Sequence, residues 1–218
     1  VGTLKALELD KNPTVLALSS DHLVKNKNKL KEAIDLALKF TDKNKIVTFG
    51  VIPTSPETGY GYIKSKKPFN LENINGIDIE EFIEKPDLQK AKNIIKDKLF
   101  TWNSGIFMFK AKTMINEMQL LCPKLLNNCR ESIINSKQDL DFNRLDKKAF
   151  EKCSNISIDN AVMEKTKIGT VIPLKAGWSD IGSWDSVWKN SGKDTLGNHI
   201  EGKTLIKKTK NCYVSSNS

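Results

Sequence analysis

A strand, a helix and a second strand follow one another near the start of this 218-residue chain. The run 13–21 is apolar until it reaches a polar turn, and residues 26–40 carry apolar side chains at helical spacing. Residues 45–51 form a second apolar run, which Gly50 and Pro53 end. This order predicts a βαβ unit, in which the two strands pair in parallel through a right-handed crossover.

Beyond this unit the sequence continues to alternate between the two kinds of pattern. Strands are predicted over 58–64, 77–83, 102–109 and 171–174, and helices over 113–121, 124–134, 146–153 and 161–165. A further helix is predicted to begin at Asp87 as its N-cap. The fold class is therefore α/β, with a Rossmann-like, mixed and mostly parallel sheet flanked by helices.

The composition of the chain changes after Trp188. Residues 190–202 are rich in Gly, Asn and Asp, and short strands are predicted at 204–206 and 212–214. We expect residues 1–189 to form the α/β domain, and residues 190–218 to form a linker and the start of a C-terminal β domain.

The formal net charge of +9 comes from 35 basic and 26 acidic residues, and nearly all the basic ones are lysines. A nucleic-acid-binding surface more often clusters arginines and interleaves aromatic residues, so we expect no nucleic-acid partner. No apolar run approaches the roughly 20 residues of a membrane span, and we expect no membrane partner. The four cysteines show no CxxC pair, which favours reduced thiols in a cytoplasmic protein.

One carboxylate, Asp180, lies between two glycines and two tryptophans in the segment 177–184. An acid on a tight turn after a strand is well placed to hold a cation beside a ligand. Taken alone, Asp180 is more simply explained as a cap of the helix that begins near Ser183. A second acid, Asp21, ends another predicted strand, and two such carboxylates favour Mg²⁺, which takes oxygen ligands and substrate phosphates.

Other polar residues also fall at or near the carboxyl ends of predicted strands, where ligands bind in an open α/β sheet. Lys85 can place a positive charge on a phosphate, while Glu84 and Asn103 can bind sugar-type hydroxyls. Gly61 allows the backbone to approach a ligand closely. Each has a simpler explanation, since Glu84 and Lys85 could form a solvated turn and Asn103 a plain one. These patterns alone predict no more than a phosphate-handling α/β enzyme.

Several segments, in order along the chain, resemble bacterial mannose-1-phosphate guanylyltransferases, a branch of the sugar-nucleotidyltransferase family. The matching segments are 48–63 (TFGVIPTSPETGYGYI), 82–87 (FIEKPD), 102–109 (WNSGIFMF), 157–166 (SIDNAVMEKT) and 176–184 (AGWSDIGSW). No single segment is specific, but collinear matches along most of the chain are. The resemblance implies the fold of the nucleotide-diphospho-sugar transferases and places residues 1–189 in a nucleotidyltransferase domain that lacks its N-terminal part.

The resemblance implies transfer of a guanylyl group from GTP to mannose 1-phosphate, giving GDP-mannose and pyrophosphate. It assigns Asp21 and Asp180 to Mg²⁺, and makes both of them catalytic together with Lys85, which would hold the sugar phosphate. Glu84 and Asn103 would hold mannose hydroxyls, with Gly61 at close approach. Two further acids, Asp159 and Glu164, would support the site from behind. A homodimer is compatible with the resemblance, which leaves the oligomeric state open.

The chain also departs from the family's pattern. Ser19 and Ser20 replace the usual Pro-Ala, and Asn160 replaces the usual Tyr. The family's Gly-rich nucleotide loop and its base-reading segment are not found, so we expect a fragment that does not turn over GTP by itself. Two alternatives stay open: a non-catalytic regulatory subunit that binds a nucleotide sugar, and a sister enzyme using another sugar or base.

Overall fold

The computed structural model describes residues 1–217, which form two compact units. The first unit contains Val1–Ser19 and Asn26–Ala176, and the second contains Ser20–Lys25 and the chain from Gly177 onward. The sequence-based boundary at residue 189 stays a prediction about domains, because compactness alone does not define where an independently folding domain ends.

The first unit holds most of the regular structure. Its helices are α1 (Gly2–Leu9), α2 (Lys27–Thr41), α3 (Leu88–Ile94), α4 (Ala111–Leu121), α5 (Pro123–Ile134) and α6 (Lys147–Glu151). Its strands are β1 (Thr14–Ala17), β3 (Ile46–Val51), β4 (Tyr62–Ser65), β5 (Ile77–Ile83), β6 (Phe100–Lys110), β7 (Lys137–Asp139), β8 (Phe142–Arg144) and β9 (Gly169–Pro173). One turn of π-helix covers Asp159–Met163, where the sequence predicted a short helix.

The second unit is built from shorter elements. They are β2 (Leu23–Val24), β10 (Trp178–Ser179), α7 (Trp184–Asn190), β11 (His199–Glu201) and β12 (Tyr213–Ser215). The strand predicted at 204–206 is wrong: residues 204–206 form no strand, and the apolar Leu205 is exposed and packs against no sheet. The strand predicted at 212–214 is confirmed, one residue displaced, as β12, which pairs in parallel with β11.

The main sheet has six strands in the order β1-β6-β3-β9-β5-β4, and β6 also pairs with β4. Strands β1, β3, β4 and β9 run in one direction, and β5 and β6 run in the other. The expected mixed α/β class is confirmed. In the described sheet, however, β3 and β9 are the one pair of neighbours that are parallel. Most strands run in the same direction, but most neighbouring strands pair in an antiparallel manner.

The strand, helix and strand predicted at the start of the chain are confirmed as β1, α2 and β3. Their predicted direct parallel pairing is wrong, because β6 lies between them and is antiparallel to both. Val47 pairs with Met108, and Val15 pairs with Phe109. An 11-residue strand of mostly buried residues can satisfy a neighbour on each edge, and nothing local in the sequence reveals that insertion.

The core lies along the centre of this sheet, where β3 and β9 are almost wholly buried. Continuous apolar strands of this kind are buried on both faces, and each large apolar side chain removed from water contributes about 1.5–3 kcal/mol. The main cluster of buried side chains contains Ile46, Ile63, Phe82, Phe107, Phe109, Met114, Ala161, Val162, Met163 and Val171.

The helices of the first unit begin where their caps predict. Asp87 accepts a hydrogen bond from the Lys90 N–H over 2.8 Å, which confirms it as the N-cap of α3. Pro123 occupies the first turn of α5 and separates it from α4, as expected. No helix within residues 1–217 is long and apolar enough to cross a membrane. All four cysteines are free thiols.

Candidate functional site

Three of the predicted binding residues lie together at one edge of the sheet in the first unit. Gly61 immediately precedes β4, and Glu84 immediately follows β5, its antiparallel partner. Asn103 lies in β6, and its backbone N–H donates to the Gly61 carbonyl over 2.8 Å. We expected carboxyl ends of strands here, but Gly61 and Asn103 lie near amino ends. Antiparallel strands bring both kinds of end to the same edge.

Gly61 is the point of closest approach in this cluster. A Cβ atom at this position would lie 2.6 Å from Glu84 Oε2 and 3.4 Å from the Cβ of Asn103. The first distance is shorter than real Cβ atoms show, so an alanine here would displace the Glu84 carboxylate. The absence of a side chain at Gly61 therefore allows the Glu84 carboxylate to lie directly against the backbone.

The Glu84 side chain is only 14% exposed and lies near two other carboxylates. Burial raises the pKa of Glu84 above its ordinary value, the charge of Asp159 raises it further, and the Lys85 ammonium opposes the shift. Glu164 accepts a hydrogen bond from the Glu84 N–H over 3.3 Å. Glu84 is thus an acceptor that lies close to two other carboxylates. A cationic or hydroxyl-bearing ligand would reduce the repulsion between them.

Lys85 lies beside Glu84 with its side chain 64% exposed. Its Nζ is 3.7 Å from Glu84 Oε1, a long and partly solvated ion pair of the kind that contributes little to stability. The backbone φ of Lys85 is 46°, in the left-handed region that a lysine seldom adopts. Such strain often accompanies a functional turn, and here the turn carries an exposed ammonium group beside Glu84.

Asn103 is the most strongly held member of the cluster. Its Nδ2 donates to Asp159 Oδ1 over 2.9 Å, and its Oδ1 accepts from the Thr48 hydroxyl over 2.9 Å. Burial raises the pKa of Asp159, while hydrogen bonds from its own N–H, Ser157 and Asn103 oppose that shift. No individual role is predicted for Thr48 from the sequence. A signal was present, since Thr48 supplies the one hydroxyl in the buried strand β3.

A cavity of about 480 Å³ lies elsewhere in the first unit, around the loop between β4 and β5. It is lined in part by Phe40, Lys66, Lys67 and Asn73. This loop joins the ends of β4 and β5 that lie opposite to Gly61 and Glu84, and none of the predicted site residues lines the cavity. The candidate site is therefore defined by its converging polar groups, not by this cavity.

In the second unit, the short strands β2 and β10 pair the chain segments that lead to the two predicted metal ligands. The strands are antiparallel, with Trp178 paired to Val24, and continuing this register sets Asp180 against His22, the neighbour of Asp21. The indole N–H of Trp178 donates to His22 Nδ1 over 3.2 Å and fixes the two segments side by side. Asp21 itself is exposed in a bend.

The turn after β10 holds Asp180 in a constrained position. A Cβ at Gly182 would collide with the Asp180 carboxylate, so a side chain at this position would displace that carboxylate. Ile181 has a φ of 51°, a strained conformation for a β-branched residue. The helix-capping explanation for Asp180 is wrong, because Ser183 is the N-cap of α7 and accepts from the Ser186 N–H over 3.1 Å.

The donors in the second unit suit Mg²⁺ chemically. Asp21 and Asp180 offer carboxylate oxygens, the ligand type that Mg²⁺ prefers, and Mg²⁺ commonly completes its shell with water and phosphate oxygens. Among the described residues there is no group of three or more His, Cys, Asp or Glu side chains that could hold a metal ion. A cation bound by this pair would therefore need oxygens from water and substrate.

The fold and these clusters agree with a match to a known family. Residues 3–196 match the sequence model described as Nucleotidyl transferase, and the chain belongs to that family. More particularly, it is similar to the putative mannose-1-phosphate guanylyltransferase of Vibrio cholerae, with 41% identity over 209 residues. The match covers 96% of this chain and 44% of that protein, so the chain spans less than half the length of its relative.

Two solved structures extend the comparison. One, described as mannose-1-phosphate geranyltransferase from Thermus thermophilus, superposes with a TM-score of 0.82 at 27% identity, over 99% of this chain and 61% of that one. Another, described as mannose-6-phosphate isomerase from Helicobacter pylori, gives a TM-score of 0.73 at 32% identity, over 81% and 68%. These similarities confirm the nucleotidyltransferase fold that the motifs implied.

Proposed function

We propose that this chain is part of a mannose-1-phosphate guanylyltransferase, which transfers a guanylyl group from GTP to mannose 1-phosphate. The observation that carries the proposal is the convergence of Gly61, Glu84 and Asn103, next to the exposed ammonium of Lys85. A buried acceptor, a buried donor and an exposed cation are groups that suit a sugar phosphate. The names of the curated relatives support guanylyl transfer in particular.

In the proposed reaction, an oxygen of the sugar phosphate forms a bond to the α-phosphorus of GTP. The bond from that phosphorus to the bridging oxygen breaks, and pyrophosphate leaves with the electron pair. Lys85 binds and neutralises the sugar phosphate, which allows two anions to approach each other. Glu84 accepts from a sugar hydroxyl, and Asn103 fixes the orientation of the ring, so the attacking oxygen is aligned.

Asp21 and Asp180 would hold Mg²⁺ in the second unit. When bound, Mg²⁺ would neutralise the charge that develops on the reacting phosphates. Both residues are needed in this proposal, because a single exposed carboxylate is a weak ligand for an ion that dehydrates reluctantly. The turn after Asp180 contains the strained Ile181, and Gly182 leaves room for the Asp180 carboxylate.

A substrate panel on the full-length protein tests the proposal. GTP, ATP, UTP and dTTP are each supplied with mannose 1-phosphate and Mg²⁺, and release of pyrophosphate is followed. We expect GTP to be used at least tenfold better than the others, with GDP-mannose as product. Preference for another base or another sugar 1-phosphate would establish the sister-enzyme alternative and overturn this proposal.

Two further activities are checked on the same preparation. The similar structure described as a mannose-6-phosphate isomerase calls for an assay of that isomerase activity, which we expect residues 3–196 not to support. A regulatory subunit would bind GDP-mannose in an Mg²⁺-dependent manner without turnover.

We also propose a cytoplasmic location, supported by the free cysteines. The homodimer stays a prediction, which light scattering tests.

A further inference from the structure

The hydroxyl of Thr48 is buried at the point where β3 meets β6. Thr48 is fully buried and has two acceptors in reach, Asn103 Oδ1 at 2.9 Å and the Ile106 carbonyl at 3.1 Å. A buried hydroxyl in an apolar strand is costly unless it is hydrogen-bonded. Its position therefore calls for an explanation, and the bond to the Asn103 side chain supplies one.

Asn103 is held at both ends of its side-chain amide. Its Oδ1 accepts from the Thr48 hydroxyl and, over 3.3 Å, from the Gly105 N–H. Its Nδ2 donates to Asp159 Oδ1 over 2.9 Å. Turning the amide by 180° would set its nitrogen against the Gly105 N–H and its oxygen against Asp159 Oδ1, so the network specifies one orientation.

The network also fixes what Asn103 can offer to a ligand. An amide oxygen has two lone pairs, and Thr48 and Gly105 occupy both. The amide nitrogen has two hydrogens, and Asp159 takes one of them. One N–H is left, so Asn103 can act toward a ligand as a donor and not as an acceptor.

We propose that Thr48 and Asp159 are positioning residues that fix Asn103 as a hydrogen-bond donor to one oxygen of the sugar. This inference rests on the proposed function, in which Asn103 contacts the sugar. Each sugar hydroxyl can both donate and accept, so selection depends on position: one hydroxyl must lie against the Asn103 N–H and another against the Glu84 carboxylate. Two groups fixed at adjacent positions distinguish sugars that differ in the direction of their hydroxyls.

Steady-state kinetics on the full-length protein test the role of Thr48. Thr48→Val keeps the shape of the side chain and removes the donor, so the amide is no longer held at its oxygen. We expect KM for mannose 1-phosphate to rise about 2- to 12-fold, the value of one neutral hydrogen bond, with kcat nearly unchanged. Thr48→Ser restores the hydroxyl and should restore KM.

Thr101→Val is the matched control for this substitution. Thr101 is also a fully buried threonine in the same sheet, and its hydroxyl has no hydrogen-bond partner among the described residues. We expect Thr101→Val to leave KM unchanged. Thermal unfolding of each variant shows whether it is folded, and Asp159→Asn provides a second test should Thr48→Val prove unfolded. The amide introduced at position 159 can still accept from Asn103, but it can also turn. KM for mannose 1-phosphate should therefore rise.

Deoxy analogues of mannose 1-phosphate separate positioning from general destabilisation. In the unmodified protein, the analogue that lacks the oxygen bound by Asn103 should bind several-fold more weakly than mannose 1-phosphate. In Thr48→Val that difference should shrink, because the two changes remove the same hydrogen bond. A merely structural role for Thr48 would weaken all analogues equally and would overturn the inference.

Asn103→Ala distinguishes failure of this inference from failure of the proposed function. If Asn103→Ala leaves the affinity for mannose 1-phosphate unchanged, the assignment of Asn103 to the sugar is wrong and the proposed function loses its support. If Asn103→Ala weakens binding while neither Thr48→Val nor Asp159→Asn does, the positioning role alone is refuted.

Discussion

Replacing Gly61 with alanine tests whether the Glu84 carboxylate must lie against the backbone. The new Cβ would lie 2.6 Å from Glu84 Oε2, whereas ordinary contacts begin near 3.4 Å, so the carboxylate must move by about 0.8 Å. Glu84 can make that movement because its carboxylate is the end of a flexible side chain. We therefore expect the fold to tolerate the change, and the binding site not to tolerate it.

The size of the effect follows from the hydrogen bond that is displaced. A bond of about 2.8 Å lengthened by that movement is no longer a hydrogen bond. Hydrogen bonds to charged groups contribute about 1.5–3 kcal/mol. At 1.4 kcal/mol for each factor of ten, the affinity for mannose 1-phosphate should fall about 10- to 150-fold. Isothermal titration calorimetry measures this directly.

Gly59→Ala is the matched control. A Cβ at Gly59 would meet nothing within 4 Å, and the two glycines are two residues apart in the same Gly-rich segment. We expect Gly59→Ala to bind mannose 1-phosphate as the unmodified protein does. Both variants should keep their melting temperature within a few degrees, since alanine also reduces the entropy of the unfolded chain. Unchanged binding by Gly61→Ala, or equal weakening by both variants, would refute the reasoning.

Three further substitutions test the proposed roles. Lys85→Ala should raise KM for mannose 1-phosphate about 10- to 150-fold, because it removes a charged contact. The control Lys90→Ala, at an exposed lysine, should not raise KM. Equal effects of the two variants in steady-state kinetics would contradict the assignment of Lys85 to the sugar phosphate. Asp180→Asn should lower kcat at least 100-fold, and the exposed Asp185→Asn should leave it within a factor of two; normal turnover of Asp180→Asn would exclude its role with Mg²⁺. Glu84→Gln tests pH dependence. The pKa of Glu84 is raised in the folded state, so its contribution to stability is present below about pH 4.3 and is lost as pH rises through the folded pKa. Glu84→Gln should therefore raise the melting temperature near neutral pH relative to the unmodified protein, and the difference should disappear at low pH; a gain that does not depend on pH would point to another cause.

Local features of the sequence predicted most of the elements correctly. The apolar run at Ile46–Val51, the N-cap Asp87 and the helix break at Pro123 depend on neighbours a few residues away. The same holds for the helix that begins after Ser183. Motif order was equally informative, and it indicated the family that residues 3–196 match.

The order of strands in the sheet could not be predicted in the same way. The insertion of β6 between β1 and β3 joins segments far apart in the chain, with Val15 paired to Phe109 and Val47 to Met108. Apolar periodicity reports that a strand is buried, and it does not report which strand lies beside it. For the same reason Gly61 and Asn103 were expected near carboxyl ends of strands and were found near amino ends.

By itself, the sequence determined which chemical groups this protein offers: a glycine that allows close approach, an acid and an amide that can bind hydroxyls, and two carboxylates on short turns. Only the tertiary structure decided what those groups do to one another. Thr48 and Asp159 are 55 and 56 residues from Asn103, and they hold its amide from opposite ends. The physical reason is that hydrogen bonds depend on distance and direction in space, which chain separation does not encode.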